Sequence, residues 1–170
     1  KRFAMGELTA LVVWGPLMIG GTYFALAGNI NSDIWLLTVP YGLVVASVLV
    51  GKHIDKIEND KPVGVNSIPV ILGESNALWL NKISFIVFYA LVIGLVVSGI
   101  GSVWLLLTFL ALRHLQQTWK AYSEPKPTEK PDDWHVWPLW YVAWAMYFNR
   151  RAGSFFILGL MVNLVLPLSL

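Results

Sequence analysis

Five apolar stretches leave this chain few folds to choose from: Ala4–Leu26, Ile34–Val50, Ile83–Ile100, Val103–Leu115 and Ser154–Leu168. A hydrocarbon core about 30 Å thick is crossed by roughly 17–25 residues of helix. Helices suit it because each satisfies its own backbone polar groups without water. The last two stretches are the shortest. Gly28–Asp33 reads as a turn between the first two, and Ser98–Ser102 as one between the third and fourth. The expected fold is all-α, a single polytopic membrane bundle over 1–170 with about five transmembrane helices surrounded by lipid. Charge agrees with this, since only 13% of residues are charged against about 25% in soluble domains.

Orientation follows from the basic residues. If the first helix runs outward, all 12 lie on the inner side: Lys1, Arg2, Lys52, Lys56, Lys61, Lys82, Arg113, Lys120, Lys126, Lys130, Arg150 and Arg151. The outer turns hold only Asp33. Trp134, Trp137, Tyr141, Trp144 and Phe148 recur at helical spacing, and a crossing there would put Arg150 and Arg151 outside. Residues 134–149 therefore read as an interfacial aromatic helix, and 52–81 as a loop on the cytoplasmic side. The Ala4–Leu26 run is too long for a secretory signal. The chain has no cysteine, which excludes thiol chemistry. A net charge of +2 with no basic run gives no reason to expect nucleic acid. With no ionisable residue expected in mid-span, a transporter is disfavoured.

The chemistry-bearing stretch is Gly51–Glu74, which opens directly off a membrane helix. Continued as a helix, it would place Asp55, Glu58 and Asn59 on one face and pair Lys56 with Asp60 on another, ending before Pro62. Hard oxygen ligands beside lysines at a membrane surface suit Mg²⁺ bridged to a phosphate-bearing substrate. A solvated loop with local ion pairs is the plainer alternative on spacing alone.

Asp55-Lys56-Ile57-Glu58-Asn59-Asp60-Lys61-Pro62-Val63-Gly64 and the run on to Gly73 resemble the second aspartate-rich motif of the UbiA superfamily of intramembrane prenyltransferases, approximately DxExD(R/K)xxGxxTLxVxLG. Gly6-Glu7, Gly15-Pro16 and Gly21-Thr22-Tyr23 are similar to the preceding helix in the dihydroxynaphthoate polyprenyltransferase branch. Asn149-Arg150-Arg151-Ala152-Gly153 resembles the start of the last family helix. The motif's first aspartate falls on Lys56, with Asp55 one place earlier, and a usual Lys or Arg is Asn66.

The resemblance implies a Mg²⁺-dependent transfer of a polyprenyl group from its pyrophosphate to an aromatic quinone precursor, in a bacterial or archaeal cell membrane. It implies Asp60, Glu58 and Asp55 as metal ligands, with Asp60 and Asp55 catalytic. Lys61, Lys56, Lys52 and Arg113 would contact pyrophosphate, with His53, Asn59 and Asn66 nearby. Family members have nine helices and a further aspartate motif, and this chain corresponds to the last five helices. An N-terminal half, or a partner membrane subunit, is expected to complete the site. The competing expectation is a catalytically degenerate accessory subunit lining a lipid or quinone site in a larger complex.

Overall fold

The computed structural model describes residues 4–168, where all regular structure is helical. Lys1 and Arg2, counted among the inner cations, lie outside the described residues. Helix α1 (Gly6–Ala27) and α2 (Ser32–Ile54) form an antiparallel pair. The connection after α2 holds two short helices, α3 (Ile57–Asp60) and α4 (Ile68–Leu72), and α5 (Glu74–Val97) returns. A 3₁₀ helix, Val103–Ala111, passes directly into the α-helix Leu112–Ala121, together α6. Helix α7 (Tyr141–Val165) completes the bundle. By length and composition α1, α2 and α5 can cross a membrane.

Local sequence sets several ends. Asn31 caps α2 by accepting from the Ile34 N–H at 3.0 Å, which satisfies an otherwise orphan donor. Gly28 ends α1 at φ +70°, where a side chain would be strained. Inside α1, Val13–Gly20 is π-helical around Pro16, because proline has no N–H to give and its ring pushes the preceding turn away.

Packing relies on small residues and rings. A Cβ on Gly42 would lie 2.5 Å from the Leu11 carbonyl oxygen, and one on Gly159 would lie 2.5 Å from that of Trp104. Glycine at these crossings lets backbones meet where hydrophobicity alone does not drive helices together. Phe85, Phe88 and Phe148 are fully buried, with Phe148 edge-on to the other two at 4.9 and 6.1 Å.

The polytopic helical class expected from sequence is the one observed, with boundary corrections. The fourth helix continues past Leu115 to Ala121. The aromatic segment 134–149 is not a separate interfacial helix: residues 134–140 are turns and irregular chain, and Tyr141–Phe148 are the first turns of α7. Three cations expected at the inner end consequently lie along the helices. A Cβ at Gly51 would meet the Tyr141 carbonyl oxygen at 2.9 Å, and one at Gly153 would meet the Tyr41 ring at 3.5 Å. These contacts put Arg150 and Arg151 level with the middle of α2. Arg113 is likewise near the middle of α6. Arg150 and Arg151 therefore lie farther from the inner end than the sequence reading placed them, because Tyr141–Val165 is one continuous helix.

Candidate functional site

The connection from α2 to α5 is fastened at two points. At the first, α2 ends at Ile54 and the chain turns, so the face expected to unite Asp55, Glu58 and Asn59 does not form. The Asp55 carboxylate is fully buried and accepts from Lys126 Nζ at 3.2 Å, from the Tyr141 N–H at 3.2 Å and from the Val142 N–H at 3.0 Å. It caps α7 from outside that helix, since Trp140 at the cap position offers no side-chain acceptor. A carboxylate at a helix N-terminus satisfies orphan donors and complements the dipole. Lys126 is held in turn by the Pro138 carbonyl at 2.5 Å. The expected place of Asp55 beside Glu58 and Asp60 is therefore corrected: tertiary contacts draw it under the loop.

At the second point, buried Glu7 of α1 meets His53 Nδ1 at 2.6 Å and accepts from the Ile68 N–H at 3.1 Å through the same oxygen. His53 is thus engaged in a clamp between α1, α2 and the start of α4.

Between these fastenings lies the crest. The Asp60 and Lys61 N–H groups donate to the Lys56 and Ile57 carbonyls, and the Val65 N–H donates back to the Asp60 carbonyl at 3.1 Å. Gly64 turns at φ +69°. Glu58, Asn59 and Lys61 are exposed, and Lys56 and Asp60 half-buried. Among the described residues the Glu58 and Asp60 carboxylates have no ion pair or side-chain hydrogen bond, and the expected Lys56–Asp60 pair does not form. Asn66 is exposed farther along the loop. Among the described residues no three His, Cys, Asp or Glu side chains gather as a metal site. Mg²⁺ often takes only one or two carboxylates and completes its shell with water and phosphate oxygens. Asp60 fits that pattern; Glu58, two positions away on one helical turn, points elsewhere.

Beneath the crest is a buried polar network. Asn81 donates to the Ser47 carbonyl and the Tyr122 hydroxyl, each at 3.0 Å, and Tyr122 donates to the Tyr141 carbonyl at 2.8 Å. Burial pushes the Tyr122 hydroxyl pKa up, keeping it a neutral donor. Tyr141 donates to Glu74 at 3.1 Å. Nothing in the sequence pattern separates these residues from other interior polar groups; only their contacts do.

The open face of α7 lines a cleft of about 1180 Å³ that reaches Tyr41 and Gln117 and includes Trp144, Tyr147, Arg150 and Arg151. A smaller cavity of about 230 Å³ beside it is lined by Trp14, Lys52 and Asn149. Arg113 lines neither; its charge and that of Arg151 both reach His114. From the sequence the arginine pair served as a topology marker and as part of the resemblance to the last family helix, not as a site. Two arginines continuing an aromatic helical stripe were the signal available.

The sequence profile of the UbiA prenyltransferase family matches residues 1–137. The chain is 30% identical over 119 residues to the 1,4-dihydroxy-2-naphthoate octaprenyltransferase of Bacillus subtilis, covering 70% of this chain and 38% of that protein. It is 36% identical over 69 residues to the Haemophilus influenzae protein of the same name, covering 41% and 22%. With the 2-carboxy-1,4-naphthoquinone phytyltransferase of Synechocystis it shares 29% identity over 90 residues, covering 51% and 29%. The matched region thus spans at most 38% of these relatives. No solved structure matches the chain.

Proposed function

This chain belongs to the UbiA prenyltransferase family, and we propose on that premise that it supplies part of the active site of an enzyme moving a polyprenyl group from its pyrophosphate to an aromatic quinone precursor. One observation carries the reading. Of the acidic residues around the α2–α5 connection, Glu7, Asp55 and Glu74 are bound into the fold, while Glu58 and Asp60 at the crest have no ion pair among the described residues.

In this reading Asp60 would hold Mg²⁺, with Glu58 beside it on the same short helix. The bound ion supplies charge neutralisation at the leaving group. Lys61 and Lys56 beside Asp60, and Lys52 at the smaller cavity, offer ammonium donors to the pyrophosphate oxygens. The allylic C–O bond breaks with its electron pair going to pyrophosphate, and a ring carbon of the acceptor forms the new C–C bond. The ring rearomatises by losing a proton or carbon dioxide. Negative charge grows on the leaving oxygen, so preorganised cations lower the barrier. In this reading the crest faces the cytoplasm, and cysteines at Asn31 and Ser102 would label from outside intact cells while those at Glu74 and Glu129 would not. Outside labelling at Glu74 would reverse the orientation.

A second reading, the accessory subunit, is favoured by Lys56 in the motif's first aspartate position and by the burial of Asp55. The full-length natural polypeptide, purified with lipid and assayed with Mg²⁺, separates the two. Transfer that is lost in Asp60→Ala upholds the enzyme. Undiminished transfer in Asp60→Ala rejects the assigned metal site, and a full-length protein without transfer supports the accessory role.

A further inference from the structure

Arg150 and Arg151 form no ion pair among the described residues, and neither does Asp133, the acid on the cleft wall. On α7 the buried residues Tyr141, Ala145, Phe148 and Ala152 define the packed face. At 100° per residue Arg150 falls opposite them, in line with Ala143, Tyr147 and Ser154, at the centre of the cleft-lining stripe. It is about 14 Å along the helix from Tyr141, level with the middle of α2. Guanidinium groups at such depth are found facing cavities or paired, because lipid solvates them poorly.

The wall beside the arginines is aromatic and fixed. Tyr147 donates to Gln117 Oε1 at 2.7 Å, stands 5.6 Å edge-on from Trp144 and lies 4.9 Å from the His114 ring. A planar cation next to a held aromatic wall suits a ligand with a flat ring and a carboxylate, which a guanidinium can grip with two parallel hydrogen bonds.

We infer that the open face of α7 is the acceptor subsite, where Arg150, flanked by Arg151, holds the carboxylate of a bicyclic aromatic acid whose ring lies against Tyr147 and Trp144. The inference rests on the prenyl-transfer reading and extends it: the relatives' names include a naphthoate and a carboxy-naphthoquinone, both bicyclic with a carboxyl group.

The test uses the full-length protein with two acceptors, 1,4-dihydroxy-2-naphthoate and 1,4-dihydroxynaphthalene, which lacks the carboxylate. Arg150→Gln is expected to raise the KM for the acid about 10- to 100-fold, the loss of a charged hydrogen-bonded contact. The KM for polyprenyl pyrophosphate and for the carboxyl-free acceptor should stay unchanged, and Arg150→Lys should recover part of the effect. Equal losses on both acceptors, or no change on either, would overturn the subsite; equal losses are the outcome if an acidic side chain elsewhere in the polypeptide occupies Arg150. Should the protein transfer no prenyl group, quenching of its tryptophan fluorescence by the two compounds decides separately. Preferential binding of the acid that disappears in Arg150→Gln upholds the subsite although the prenyl-transfer reading fails. Equal binding of both compounds overturns it.

Discussion

Asp55 and Asp60 share one connection and one chemistry, yet the fold treats them oppositely. Asp55 is enclosed and has donors on both oxygens, whereas Asp60 is half-buried and its carboxylate has no ion pair among the described residues. The difference separates a carboxylate that holds the structure from one left available to a ligand. A buried carboxylate is stable only when hydrogen-bonded or paired, so Asp55 is committed. The crest around Asp60 keeps its geometry through backbone hydrogen bonds and needs nothing from that side chain.

The comparison breaks most directly at Asp55. Asp55→Ala would strand Lys126 and two N–H groups of α7, a loss of roughly 3–5 kcal/mol read as a lower unfolding midpoint in detergent, with activity falling only as the folded fraction falls. Unchanged stability would remove the contrast. Asp60→Ala is expected to do the reverse: prenyl transfer falls at least about 100-fold, and the unfolding midpoint is unmoved. Glu7→Gln tests the other fastening. It weakens the acceptor shared by His53 and Ile68, and should lower stability by about 1–3 kcal/mol while raising proteolytic cleavage between Lys56 and Ser67. Tyr122→Phe removes one bond to the Tyr141 carbonyl and one acceptor for Asn81, at about 1 kcal/mol. The smallest effect belongs to Glu58→Gln, where a several-fold loss of transfer and no change in unfolding are expected. A loss as deep as that of Asp60→Ala would place both carboxylates on the metal.

Much of the fold was legible because bilayer solvation acts on local composition. An apolar run of the right length becomes a helix whatever its neighbours, and Gly28 and Asn31 mark a helix end and a start through their own backbone and side-chain chemistry. The boundaries of α7 were not legible, because its N-terminus is capped by Asp55 from a distant part of the chain. A local reading stopped the helix at the arginines by assuming that charge marks a surface. For the site, the motif pattern pointed to Glu58, Asp60 and Lys61 at the crest, but helix periodicity misplaced Asp55.

The sequence by itself determined the helical class, the family and the position of the acidic connection, since each depends on composition or on residues close together in the chain. Only the tertiary structure decided which acids are bound into the fold and that Arg150 and Arg151 line a cleft at mid-bundle. The reason is that burial and pairing belong to groups from different helices: Glu7 with His53 and Ile68, Asp55 with Lys126 and Tyr141.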